Sequence, residues 1–277
     1  MENHDAFTGL SAGKPTLNSS KAGSRKDEHS SRHKSTESLD TVFARKVRVF
    51  QSRSGYRFSL DSLLLANFVT IKGAEKVVDL GSGNAIIPLL LAHLYSPITA
   101  MTGIEIQPAM VERARRNVAV NGLDKRVKIL QGDVREIGKH YAPADCDVVV
   151  CNPPYRKLSS GRISVNDERR IARHELNGDL DAFLRAGAFL LRNKGRMALV
   201  YLAGRSADLI VAMRQAGIEP KRLRMVHSFP EAEASLILLE GVKGGKAGLA
   251  VLPPLVIYRR AKQYTDGVTA IINGVPR

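Results

Sequence analysis

A chain of 277 residues with 44% hydrophobic content can bury one domain core, and a net charge of +15 points to a polyanionic partner, most simply nucleic acid. No apolar run approaches the roughly 18 residues of a membrane span, and the N-terminus lacks the apolar centre of a signal peptide. The only two cysteines, Cys146 and Cys151, stand roughly 16 Å apart if both lie on one extended strand, beyond disulfide reach, so they read as buried thiols in a reducing, cytoplasmic setting.

Residues 1–40 are rich in Ser, Lys, His and Gly and show neither helical nor strand periodicity. They are expected to be a disordered extension. Their six basic and six acidic side chains cancel, so all fifteen excess positive charges lie in residues 41–277, the expected folded domain.

From Thr41 the pattern changes. Val47, Val49 and Phe50 predict a short strand, residues 55–58 a turn, and Ser59 the cap of a helix that carries Asp61 in its first turn. Residues 76–80 form an apolar strand that runs into Gly81-Ser82-Gly83-Asn84-Ala85 and then an apolar helix. Strand, glycine-rich turn and helix make a dinucleotide-type unit, in which glycines admit a ligand to the backbone and the helix offers unpaired N–H groups. Ala85 stands where the third glycine of the usual spacing would fall.

A second strand, 98–104, ends in Glu105, about twenty residues past the glycines, where an acid can hold both ribose hydroxyls. Pro108 opens a helix with Val111, Ala114 and Val118 on one face and Arg113, Arg115 and Arg116 turned elsewhere; Gly122 stops it. A third strand, 127–130, closes on Gly132-Asp133. The fourth, 147–150, runs through Cys151 into Asn152-Pro153-Pro154-Tyr155. Two consecutive prolines fix two φ angles and remove two donors, so the chain leaves the sheet there with its carbonyls free to accept. Asn152 adds a side-chain acceptor and Tyr155 a flat ring: a planar NH2 group would meet two acceptors and a stacking surface. Acids or acceptors thus end four successive strands, Asp79, Glu105, Asp133 and Asn152, and ligands of open α/β sheets bind at such ends.

The stretch 156–177 is polar and without period, and Arg156, Lys157, Arg162, Arg169, Arg170 and Arg173 outnumber its acids before His174. A loop of that length and sign beside the proposed site reads as a substrate grip. Next come a helix begun by Asp179 or Asp181 and ended by Gly195, a fifth strand at 197–202, a helix at 208–215, and strands at 223–227 and 235–239. Gly244-Gly245 reads as a hairpin turn, and residues 251–258 as an edge strand.

The alternating series, with Asp79-Leu80-Gly81-Ser82-Gly83 first and Asn152-Pro153-Pro154-Tyr155 at the fourth strand, resembles the class I methyltransferases that use S-adenosylmethionine. Further stretches are similar to the bacterial tRNA1(Val) adenine-N6 methyltransferase family: Gln51 with residues 55–66, Ala172-Arg173-His174-Glu175, residues 219–224, Lys243-Gly244-Gly245-Lys246, and Leu252-Pro253-Pro254-Leu255. The resemblance covers residues 41–260. It implies a Rossmann-like α/β fold, a seven-stranded, mostly parallel sheet with helices on both faces, and methyl transfer to the N6 of an adenine beside the anticodon of tRNA(Val).

It also implies roles. Gly81, Ser82 and Gly83, with the helix N-terminus after them, would hold the amino-acid end of S-adenosylmethionine, with Asp61 at its ammonium group; Glu105 would take the ribose hydroxyls and Asp133 the adenine amino group, and Asp79, Ile106, Gly132, Val134 and Asn152 would also bind the cofactor. Asn152 and Pro153 would accept from the target amine, and Pro154 and Tyr155 would complete the catalytic run, the ring of Tyr155 stacking on the flipped base. Arg57, Arg156, Lys157, Arg162, Arg169, Arg170, Arg173 and His174 would face RNA. No metal is implied.

The same Asn-Pro-Pro-Tyr chemistry serves guanine-N2 methylation of ribosomal RNA and N5 methylation of protein glutamine. The latter would normally have a structured helical domain ahead of this fold. Intact Asn152 and Glu105 disfavour a non-catalytic RNA-binding protein, and a nicotinamide dehydrogenase, which the glycine turn alone would allow, leaves Asn152 to Tyr155 unexplained.

Overall fold

The computed structural model describes residues 36–54, 57–95, 98, 100–153 and 180–275. It opens on an antiparallel hairpin, β1 (Glu37–Val42) with β2 (Val47–Ser52). Glu37 to Asp40 are therefore ordered, and the expected boundary at residue 40 falls inside a strand; residues 1–35 lie outside the described residues. β1 has no apolar run to betray it. It is held by pairing with β2 and by Glu37, which bonds Arg113 Nε at 2.8 Å and Arg116 Nη1 and Nη2 at 2.8 Å each.

Helix α1 (Leu60–Phe68) begins after Ser59, and all nine of its residues are buried. β3 (Lys76–Leu80), α2 (Ile86–Leu94), β4 (Ala100–Glu105), α3 (Pro108–Val120), β5 (Val127–Gln131) and β6 (Cys146–Cys151) follow as the apolar runs predict. α4 (Leu180–Leu190) passes directly into β7 (Leu191–Leu202), so Gly195 does not end the helix. It lies within β7, where a Cβ would stand 2.9 Å from the Arg192 carbonyl oxygen and 3.1 Å from that of Asp147. The close backbone approach, not helix termination, requires glycine there.

α5 (Ser206–Gln215), β8 (Ile218–His227) and β9 (Ala234–Lys243) complete the main sheet. Its long strands run in the order β8-β9-β7-β6-β3-β4-β5, all parallel except β9. The seven expected strands are joined by two short ones, β10 (Ala250–Val251) and β11 (Leu255–Val256), on the outer edge of β8. Pro253 and Pro254, with no N–H to give, split the expected edge strand in two. Because β10 pairs with β8 and not β9, Gly244-Gly245 is a turn but not a hairpin. A small hairpin, β12 (Tyr258–Arg260) with β13 (Gln263–Tyr264), and α6 (Asp266–Ile272) end the described chain.

Side chains alternate across the strands into two cores. Val77, Val148 and Val150 face a layer with Leu63, Leu89, Val111 and Val268, from α1, α2, α3 and α6. Val78, Leu80, Val149 and Cys151 face Ile137, Phe183, Leu184, Leu209 and Met213, from the segment after β5, α4 and α5. The chain winds outward from β3 through β4 to β5, then returns to put β6 on the other flank of β3. The order of strands reverses there, and a crevice opens at their carboxyl ends.

Candidate active site

Parallel register sets the strand ends side by side. Leu80 pairs with Ile104 on one flank and Cys151 on the other, so one step further along are Gly81, Glu105 and Asn152, in a row across β3, β4 and β6. With strands about 4.8 Å apart, the row is about 10 Å wide, the scale of a nucleoside.

The glycine turn lies folded over β4. Gly81 and Ser82 both donate backbone N–H groups to the Ile104 carbonyl at 2.9 Å. Gly81 and Gly83 have φ of +73° and +56°, the left-handed region that favours glycine. Ala85 shares it, at φ +66°, directly ahead of α2. Gly103 in β4 makes room from below: a Cβ there would come within 2.8 Å of Ser82 Cβ and 2.9 Å of Ile129 Cδ1. Asn117, fully buried on α3, braces the turn, donating to the Asn84 carbonyl at 2.9 Å while its oxygen accepts from the Phe50 N–H at 2.7 Å.

Two acids stand beside this turn. Asp79 is 1% exposed, and neither carboxylate oxygen has a hydrogen-bond partner among the described residues. Burial pushes its carboxyl up to about 7, with the Ser82 hydroxyl opposing the rise and the Glu105 charge adding to it. The hydroxyl is close enough to act electrostatically but closes no hydrogen bond of ordinary geometry. Glu105 is buried too, and desolvation raises it against the N–H groups that it accepts, from Gly83 to Oε2 and from Gln107 to Oε1 at 2.9 Å. A buried carboxylate without a partner costs free energy and suits a cationic ligand.

At the end of β6, Pro153 is buried and Asn152 half-buried, and Asn152 Nδ2 donates to Ser62 Oγ on α1 at 3.3 Å. Asp61, the neighbour of Ser62, is 7% exposed. Helix α1 thus brings Ser62 to the end of β6. Pro154, Tyr155, Arg156, Lys157, Arg162, Arg169, Arg170, Arg173 and His174 lie outside the described residues.

Two predicted contacts are otherwise engaged. Arg57, expected to face RNA, is ion-paired with Asp40 and donates to Ser38 Oγ at 3.1 Å and the Ser52 carbonyl at 3.3 Å, tying β1–β2 to the segment that leads into α1. Asp133, expected at an adenine, accepts from the Arg135 backbone N–H and side-chain Nε at 2.9 Å, and the Arg135 guanidinium hydrogen bonds lower its carboxyl. Arg135 is exposed, so the pair opens at a cost of about 1 kcal/mol or less. Ile106 follows Glu105 half-exposed, Gly132 donates to the Glu105 carbonyl at 3.0 Å, and Val134 is buried.

Three residues beside this row were given no role by the sequence, although Gly103 is a glycine inside a strand, a pattern that commonly marks a close approach. They are Ser62, Gly103 and Asn84, which is 1% exposed with neither end of its amide partnered among the described residues. A shallow cavity of about 190 Å³, lined by Lys76, Lys128 and Tyr141 among others, opens at the opposite, amino ends of the strands and has no part in this row. Among the described residues, no group of His, Cys, Asp and Glu could hold a metal ion, and no helix is long and apolar enough to cross a membrane.

A family described as a methyltransferase domain matches residues 71–223, from the segment before β3 into β8. The chain belongs to the methyltransferase domain family. It is 28% identical over 174 residues to a protein of Tolumonas auensis named tRNA1(Val) (adenine(37)-N6)-methyltransferase, covering 62% of this chain and 70% of that one. A Porphyromonas gingivalis protein of the same name is 29% identical over 207 residues, 73% of this chain and 80% of the relative. In fold, it matches an Agrobacterium tumefaciens protein described as a predicted O-methyltransferase, with a TM-score of 0.64 at 22% identity, over 78% of this chain and 97% of that one.

The methyltransferase family and fold make S-adenosylmethionine the methyl donor. The crevice fits it: a buried carboxylate without a partner, two left-handed glycines and the N-terminus of α2 adjoin at Asp79, with Glu105 one strand over.

Proposed function

We propose that this protein transfers a methyl group from S-adenosylmethionine to the exocyclic N6 of an adenine in tRNA, position 37 beside the anticodon, as the names of its relatives describe for them. The observation that carries the reading is the placing of Asn152-Pro153 at the end of β6, in line with Gly81 and Glu105.

Asp79 would meet the donor's ammonium group, with Asp61 nearby on α1. The glycine turn and α2 N-terminus would take its carboxylate, and Glu105 its ribose hydroxyls. Asp133 would accept from its adenine once Arg135 swings away. The bound donor supplies an electrophilic methyl group on a sulfonium centre. The exocyclic amine of adenine is a poor nucleophile because its lone pair is delocalised into the ring. Asn152 Oδ1 and the Pro153 carbonyl, each accepting one N–H, would draw the nitrogen toward tetrahedral geometry and stabilise the positive charge that grows on it. Holding nitrogen and methyl carbon in line supplies much of the remaining acceleration. Tyr155 would stack on the base, and the basic stretch 156–173 would grip the phosphates.

Mass spectrometry of nucleosides from tRNA and ribosomal RNA, with and without the gene, tests the substrate: N6-methyladenosine should disappear from one tRNA. Loss of N2-methylguanosine from ribosomal RNA, or of methylglutamine from a protein, would replace the substrate and keep the chemistry. Asn152→Ala tests the site. It should lower methyl transfer by at least about a thousandfold while S-adenosylmethionine affinity, measured by calorimetry, stays within about twofold. Retained turnover would sink the assignment.

A further inference from the structure

An asparagine amide has a donor end and an acceptor end of nearly the same shape, and only one of them can help a target NH2 group. Oδ1 accepts its N–H; Nδ2 in the same place would set donor against donor. The roll of the Asn152 side chain therefore has to be fixed for the acceptor to meet the target. From the hydrogen bond between Asn152 Nδ2 and Ser62 Oγ, 3.3 Å long and joining residues ninety positions apart, we infer that Ser62 is the positioning residue that anchors the Asn152 side chain and fixes its roll for catalysis; a hydroxyl can pair with either end of an amide, and Nδ2 is the end it holds here.

α1 supports this assignment. It reads Leu-Asp-Ser-Leu-Leu-Leu-Ala-Asn-Phe and is buried on every side, so packing alone would favour alanine at position 62. Ser62 is 1% exposed. A hydroxyl taken out of water costs free energy unless it finds a partner, and the partner here is the candidate catalytic amide. Its backbone N–H is already placed, donating to the Ser59 carbonyl at 3.3 Å in the first helical turn, which fixes where the Cβ points. With Nδ2 held on the α1 side, Oδ1 is held on the opposite edge of the amide. Strand β6 fixes the backbone of the residue and α1 fixes the roll of its side chain, so the catalytic acceptor is aligned by two elements that meet only in the fold.

The inference rests on the reading of Asn152 as the acceptor for the target amine, and the test separates the two. Steady-state kinetics with a tRNA substrate and calorimetry with S-adenosylmethionine are measured for wild type, Asn152→Ala, Ser62→Ala and Ser62→Thr. Ser62→Ala should lower kcat about tenfold, the value of one lost orienting hydrogen bond. KM for RNA and the Kd for S-adenosylmethionine should stay within about twofold. Ser62→Thr, which keeps the hydroxyl, should recover most of kcat.

Ser62→Ala at wild-type kcat beside a dead Asn152→Ala would overturn the role of Ser62 alone, as would a loss of kcat that Ser62→Thr fails to recover. Full activity in Asn152→Ala would overturn the reading of the site itself. Should Ser62→Ala not fold, the Asn152 side-chain amide in isotope-labelled Ser62→Thr and wild-type protein decides the matter. Its two proton resonances should keep the same separation and protection from exchange in both, and an averaged or freely exchanging amide in the wild type would overturn the inference.

Discussion

Asp79 is the site residue whose burial is least compensated. Its carboxyl, normally at 3.8, is raised to about 7 by burial, so between those values the unfolded chain has lost a proton that the folded protein keeps. Stability therefore falls as pH rises through that window, by a few kcal/mol in all, and is unaffected by this group below it. Asp79→Asn should melt higher than wild type at pH 8 and about equally at pH 4, by calorimetric scans. The same variant should bind S-adenosylmethionine at least about tenfold more weakly, because the ammonium group loses its counter-charge. Equal melting at both pH values would overturn the raised carboxyl, and unchanged affinity would remove Asp79 from the cofactor site. Asp79, Glu105 and Asn152 were legible in the sequence because each closes an apolar run, and run ends are visible one strand at a time. Ser62 and Asn84 were not, since a buried serine or asparagine acquires meaning only from what the fold sets against it.

At the scale of elements, the unit β3–turn–α2 works only because β4 beneath it is flat. Gly103 sits in β4 opposite Asp79 in register, and a side chain there would press on Ser82 and Ile129. Gly103→Ala should cost about 1–3 kcal/mol in denaturant unfolding and weaken S-adenosylmethionine binding about tenfold, because Ile129 Cδ1 and Ser82 Oγ can rotate away but Ser82 Cβ can be cleared only by a shift of backbone. A variant that loses neither would show that the turn adapts without consequence. The sequence reading singled out glycines in a ligand-binding spacing and passed over one inside a strand, although a strand glycine commonly marks a close approach. It failed likewise at Gly195, where a glycine after a helical pattern suggested a C-terminus. Helix and strand there share the run Phe189-Leu190-Leu191, and no local signal divides it. Pattern reading found the seven long strands because they are apolar; it missed β1, whose fastening is ionic and lies on α3.

For the whole molecule, the net charge of +15 predicts a polyanion partner, and the ion pairs within the fold leave that excess in place because each pair is itself nearly neutral. Arg57, Arg113, Arg116, Arg196 and Arg222 bind Asp40, Glu37, Glu75 and Glu240. The Glu37 clamp strengthens a chain of contacts that starts at the hairpin and reaches the crevice through Asn117 and the Asn84 carbonyl. Hydrogen bonds from Arg116, seconded by Arg113, hold the Glu37 carboxyl near 2 against its usual 4.5. A depressed acid stabilises fully above its unfolded value and gives that up as pH falls through the folded one. Glu37 therefore supports the fold above pH 4.5 and loses hold toward pH 2, the opposite slope from Asp79. Melting curves of wild type, Glu37→Gln and Asp79→Asn from pH 2.5 to 8 separate the two. Glu37→Gln should differ from wild type most above pH 4.5 and converge with it in acid, whereas Asp79→Asn should converge in acid and gain toward pH 8. Because the hairpin braces the glycine turn, Glu37→Gln should also weaken S-adenosylmethionine binding at pH 7.5 although Glu37 is not a site residue. Unchanged affinity in a protein measurably less stable would confine the hairpin to a purely structural role.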